Sequence, residues 1–225
     1  MKKLLLPLGI VLGMQVVNQT NAADLSLKVI DKEPPGQIGE SIRKPLQPKT
    51  VQLLGGEKPV FEFWFSSEVP LKSKPGSSEK ALDAIRETTL IGAAAVGSGQ
   101  RDYKDNEIAA GVYTMRFGLQ PQDGDHLGTA EYSYFAVLIP AKNDMQLDGI
   151  TTFKALAKAS GKDTASGHPI ILSLRPVSSD GGDFPKLNEP VAEHRSVRVK
   201  VPAKSGEEKT SIVFELVYKG HGHIQ

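Results

Sequence analysis

From Leu25 onward the chain carries short runs in which apolar and polar residues alternate with a period of two, the mark of half-buried strands. Leu25, Leu27 and Val29 alternate with Ser26 and Lys28. Tyr113, Met115, Phe117 and Leu119 form one apolar face, opposite a mixed face of Val112, Thr114, Arg116 and Gly118. Val197, Val199 and Val201 alternate with Arg198 and Lys200, and Ile212, Phe214, Leu216 and Tyr218 with Val213, Glu215 and Val217. The polar stretch KSGEEKT joins these last two as a hairpin. Val60 to Phe65 (VFEFWF) is aromatic and suits a central strand. Glu131 to Ile139 is apolar on both faces, which predicts a strand inside the fold, ended by Pro140. TTLIGAAAVGSG and PIILSLRPV read as further strands, the first thinned by small residues that permit close packing.

Helical signals are few. TTFKALAKASG predicts a short helix capped by Thr151 or Thr152, with Phe153, Leu156 and Ala157 on its inner face and Gly161 at its end. A second short helix is expected where Ser77 or Ser78 precedes Glu79, with Ala81, Leu82 and Ile85 on one face. Residues 31–50 are rich in Pro, Gly and charge and read as an extended surface connection. Many short strands with turn signals and one or two short helices predict a mainly β protein, an antiparallel β-sandwich.

The N-terminus changes the picture of where that fold works. Lys2 and Lys3 precede the apolar run LLLPLGIVLGMQVV, and Thr20-Asn21-Ala22 places small residues at the spacing of a secretory cleavage site. Residues 1–22 therefore read as a signal peptide and 23–225 as one exported domain, periplasmic or secreted. The run is shorter than the roughly 20 residues of a membrane span, so no integral span is expected after cleavage. Cleavage leaves 225 − 22 = 203 residues and, with two lysines removed, moves the formal charge from +1 to −1. That near-neutral balance argues against nucleic acid as a partner. The absence of cysteine excludes disulfides, thiol catalysis and thiolate metal sites.

The stretch IAAGVYTMRF, a glycine and a tyrosine leading into an alternating strand, resembles the "pGxY-strand" of secreted bacterial β-sandwich modules. These include transthyretin-like and carboxypeptidase-regulatory-like domains and the small periplasmic proteins grouped as DUF2911-like. The resemblance covers one hairpin, Ile108 to Pro140, and implies a non-catalytic module without assigning any functional residue. Read on its own residues, Gly111 permits an unusual backbone angle where the strand begins, and Tyr113 brings a large ring whose hydroxyl can reach a polar partner.

Candidate chemistry is sparse. Asp123, Asp125 and His126 surround Gly124 and offer oxygen and imidazole ligands, but the segment lacks the repeated acidic positions of an EF-hand loop. Asp-Gly favours a turn, and a turn joining two strands is the reading adopted. His221 and His223 share a face of an extended chain, roughly 7 Å apart, which suits Zn²⁺ or Cu²⁺. They stand at the C-terminus, with His168 and His194 as conceivable further ligands. Met115 reads as a core filler rather than a copper ligand. Ser166 and His168 are close in sequence, but no nucleophile-elbow or zinc-protease motif accompanies them. Gly97 and Gly99 lack the later glycine and the helix of a phosphate-binding loop.

The expectation is an exported, non-enzymatic β-sandwich with no cofactor, binding an unknown protein or small ligand through its loops. Two alternatives stay open: a periplasmic copper- or zinc-handling protein using these histidines, and a hydrolase or lyase whose carboxylates meet only in three dimensions. The exported protein is expected to begin at Ala23 on N-terminal sequencing; a sequence starting at Met1 would mean that the segment is retained as an anchor.

Overall fold

The computed structural model describes residues 25–122, 124, 130–179, 181–190 and 193–220. In chain order the elements are β1 (Ser26–Asp31), α1 (Glu40–Arg43), β2 (Lys49–Gly55), β3 (Lys58–Phe65), β4 (Val69–Leu71), β5 (Leu90–Val96), β6 (Gln100–Arg101), β7 (Glu107–Ile108), β8 (Gly111–Leu119), β9 (Tyr134–Pro140), α2 (Phe153–Gly161), β10 (Ile170–Pro176), β11 (Lys186–Asn188), β12 (Arg195–Ser205) and β13 (Glu208–Lys219). The protein is mainly β, with two short helices. Apart from the small β6–β7 hairpin, all strands belong to one 11-stranded sheet in the order β1-β2-β3-β5-β8-β9-β10-β13-β12-β11, with β4 added beside β12. Pairing is antiparallel except between β4 and β12, which makes the sheet mixed. No helix among the described residues is long and apolar enough to cross a membrane.

Of the expected β-sandwich, the mainly β character holds, while the strands form one strongly curled sheet rather than two clearly separate ones. Each strand hydrogen-bonds onward to the next, so the layers arise by curling into a half-barrel. Five strand steps separate β3 from β13, roughly 24 Å in a flat sheet at about 4.8 Å per step. Yet the Phe61 and Tyr218 rings lie 6.2 Å apart, and Phe65 meets Phe214 edge-on at 6.3 Å. The inner faces of the two limbs are therefore in contact. Phe61, Phe63, Met115, Phe117, Leu138, Leu174, Val201 and Leu216 fill the space between them. Gly92 lies where β5 shifts register against β8, and a Cβ there would stand 2.5 Å from the Trp64 carbonyl oxygen and 2.7 Å from the Met115 methyl. Met115 is a buried core residue, as its alternation predicts.

The outer face is covered in two places. The 31–50 segment is not merely an extended surface connection: it contains α1 and buries Ile38, Ile42 and Leu46 against Trp64, Leu90 and Ala93. The Trp64 indole N–H donates to the Lys32 carbonyl at 2.9 Å and straps the segment down. Farther along, α2 lies over Phe135, Val137, Ile139 and Ile171, the outward residues of β9 and β10. Strand β9 is apolar on both faces because Ala136 and Leu138 enter the inner core while Phe135, Val137 and Ile139 are covered from outside by α2.

Other expectations are amended. The helix expected after Ser77 is two 3₁₀ turns, Ser78–Lys80 and Leu82–Ala84, with no side-chain cap, although Ala81, Leu82 and Ile85 are buried as expected. Thr152 does cap α2, its hydroxyl accepting from the Ala155 N–H at 3.2 Å. Gly161 is the last helical residue rather than a left-handed cap; a Cβ there would lie 2.2 Å from the Gly167 carbonyl oxygen. Gly111 has no positive φ, and a side chain there would meet the Tyr113 ring. The Tyr113 hydroxyl donates to the Ala109 carbonyl at 2.6 Å. Strand β1 is an exposed edge, and Val29 is 48% exposed rather than half-buried in a face. Phe117 is fully buried in the inner core. Phe117→Ala is expected to lose about 3–5 kcal/mol in urea unfolding, and a loss under about 1 kcal/mol would mean the ring lies outside the core.

Candidate functional site: a cavity beneath the second helix

The metal candidates Asp123, Asp125, His126, His221 and His223 lie outside the described residues. Among the described residues, no group of three His, Asp or Glu side chains is placed to hold a metal ion. Ser166 and His168 do not form a nucleophile–base pair. The Ser166 hydroxyl accepts from the His168 backbone N–H at 3.2 Å, and the imidazole Nδ1–H donates to the Pro169 carbonyl at 2.7 Å. The His194 ring packs edge-on against Tyr103, with centroids 5.8 Å apart. Two carboxylates do meet on the outer face, Glu131 and Glu215, on either side of Arg175. Glu215 also accepts from Asn188 and from Ser196, each at 3.0 Å. These carboxylates hold strands and a loop together.

A wide concavity of about 750 Å³ opens on the rim where β3 ends and β5 begins. Arg116 of β8 lies in its floor, 2% exposed, and is paired with Asp144, whose side chain is 1% exposed. The guanidinium Nε–H donates to Asp144 at 2.7 Å and Nη2 to its other oxygen at 2.9 Å. Nη2 also reaches the Gln146 and Leu147 carbonyls, and Nη1 the Thr88 carbonyl at 3.0 Å. Thr114 adds its hydroxyl to Asp144 at 2.6 Å. Thr88, which is β-branched, has φ +72° and is held there by this bond and by its own N–H donating to Phe117. The arrangement is a bidentate pin with nearly every donor used. It fixes two loops on the sheet and leaves little for a ligand.

The second cavity, about 390 Å³, lies between α2 and the outer face of the sheet and has the character of a ligand site. Phe135 and Val137 of β9 and Ile171 of β10 form its floor, and Phe153 and Ala157 of α2 one wall. Those two helix residues are four apart and so share a face. Leu119, Gln120 and Pro121 at the end of β8, His168 and Pro169 before β10, and Lys104 complete it. Mostly apolar walls with a few polar side chains are what a small-molecule pocket requires.

Local structure keeps the cavity open. Ser160 of α2 is buried; its hydroxyl donates to the Leu138 carbonyl at 2.6 Å and accepts the Ile170 N–H at 2.8 Å. With Gly161 against Gly167, this clamps the C-terminal end of the helix to the sheet. Lys104 is placed by a tight turn in which the Asp102 carboxylate accepts from the backbone N–H groups of Lys104 and Asn106, each at 2.9 Å. Burial raises the Asp102 pKa above the usual carboxylate range, and those N–H donors pull it partly back. The Tyr103 N–H donates to the Ile171 carbonyl at 2.8 Å and anchors this turn beside the cavity floor.

No family model matches the chain, and no curated protein or solved structure matches it either. Sequence reasoning places Phe153 and Ala157 on the inner face of a helix but does not reach the cavity, whose walls come from five separated segments. The Arg116–Asp144 pin yields a direct test. Asp144→Ala is expected to lose about 3–5 kcal/mol in urea unfolding, because Arg116 is left buried and unpaired. Arg116→Met/Asp144→Leu is expected to be more stable than Asp144→Ala alone; a double variant no better than the single one would show that the pair is not coupled.

Proposed function

We propose that this chain is an exported, non-enzymatic binding module that holds a small, largely apolar molecule in the cavity beneath α2. The cavity carries the reading: about 390 Å³ of space walled mainly by apolar side chains, in a protein whose inner face is tightly packed. The cavity opens to solvent, so its apolar walls face water and gain by being covered. An occupant of matching shape covers them. The two limbs of the half-barrel serve as the layers of a sandwich-like scaffold, and the site sits on their outer surface with the loop ends around it. The non-enzymatic reading is supported by how the charged groups are used. Arg116, Asp144, Asp102 and Glu215 are committed to hydrogen bonds that hold the fold.

A neutral fluorescent probe, N-phenyl-1-naphthylamine, tests this reading. Saturable binding at one site per chain is expected for the wild type. Ala157→Trp fills the cavity from a half-buried helical position and is expected to weaken binding by about tenfold or more with unchanged circular dichroism. Non-saturable binding, or equal binding by the variant, would overturn the proposal.

A further inference from the structure

The character of the cavity's mouth narrows the ligand further, in an argument that rests on the binding reading above. We infer that the ligand is a monocarboxylate with a compact apolar body, its head group at Lys104 and its body between Phe135, Phe153 and Ile171. Lys104 is the one lysine or arginine among the described residues lining this cavity, and no carboxylate among the described residues pairs with its ammonium. Its two acidic neighbours are otherwise engaged. Asp102 is occupied by the N–H groups of Lys104 and Asn106, and Asp105 stands 3.4 Å from Arg101 in its own ion pair. The backbone beneath Lys104 is held by the Asp102 turn and by the Tyr103–Ile171 hydrogen bond, so the ammonium swings from a fixed point at the mouth. Two prolines, Pro121 and Pro169, line the same cavity and have no N–H to offer an anion. An ammonium meeting a carboxylate forms a charge-assisted hydrogen bond, stronger than one to a neutral hydroxyl.

The size of the space sets the body. A cavity of about 390 Å³ stands at the lower end of the roughly 300–1,000 Å³ of small-molecule pockets. That suits a compact body, of a few rings or a short aliphatic chain. One lysine matches one negative charge, which favours a monoanion over a doubly charged phosphate.

The test compares matched pairs by titration calorimetry at low salt: octanoate with 1-octanol, and 4-phenylbutyrate with 4-phenylbutanol. The wild type is expected to prefer each acid about tenfold over its alcohol, with the preference shrinking at high salt as the exposed ammonium is screened. Lys104→Met keeps the apolar stem and is expected to erase the preference while leaving alcohol binding intact. Lys104→Glu is expected to turn the preference toward octylamine. Equal binding of acid and alcohol by the wild type would overturn the carboxylate assignment and leave the cavity reading standing. Failure of all four compounds to bind would remove both. A preference that survives Lys104→Met would place the anion elsewhere and overturn this inference.

Discussion

Contact between the inner faces of one sheet's two limbs is the constraint on which this structure rests. Aromatic residues on β3 and β13 can meet only if the intervening strands curl, and their burial is what holds the curl. The three residues between Phe65 and Val69 carry the chain from one limb to the other, where β4 pairs in parallel with β12. Backbone hydrogen bonds thus close at one end what side-chain packing closes through the middle. The outer elements depend on this curvature. The segment carrying α1 covers one stretch of the convex face and α2 another, and each buries residues that a flat solvated sheet would expose.

Polar groups buried in such a fold must be matched locally, and here they are matched across long sequence distances. Asp144 reaches back thirty residues to Thr114 and twenty-eight to Arg116. Such a pair adds little net stability compared with apolar residues of similar shape, because both charges are desolvated. Its effect is positional. Carbonyls of Thr88, Gln146 and Leu147 converge on one guanidinium, so two rim loops share a single anchor. Ser160 does the same for α2 with a neutral hydroxyl.

These long-range matches explain what could and could not be read in the sequence. The inner faces of β8, β12 and β13 are legible because polar residues such as Thr114, Arg198 and Glu215 stand between their apolar ones, so alternation survives at Tyr113–Phe117, Val197–Val201 and Ile212–Tyr218. Strand β2 is not legible, because Thr50, Val51, Gln52, Leu53 and Leu54 are all buried and no alternation remains. Arg116 reads as a solvent-facing residue of an alternating strand until a loop from beyond β9 folds over it. Gly161 invites a conformational explanation, whereas close packing against Gly167 accounts for it. The cavity is the extreme case, since its walls come from five segments that only the folded chain brings together.

The persistence of that cavity follows from the same economy of buried polar groups. A nine-residue helix is too short to be stable alone and takes its stability from packing. Leu156, Ser160 and Gly161 provide that packing and are buried, whereas Phe153 and Ala157 are only half-buried. Collapse of the helix onto the cavity floor would need its axis to tilt about the clamped end. Tilting would pull the Ser160 hydroxyl from Leu138 and Ile170 and strand a buried N–H and a buried carbonyl, at about 1–3 kcal/mol for each group left unsatisfied. It would also press Gly161 into Gly167, where no spare space exists. The gain from closing the void competes with these losses, and an apolar molecule in the void supplies the same contacts without them. A helix tightly fixed at one end and standing off at the other is thus a scaffold that favours filling over collapse.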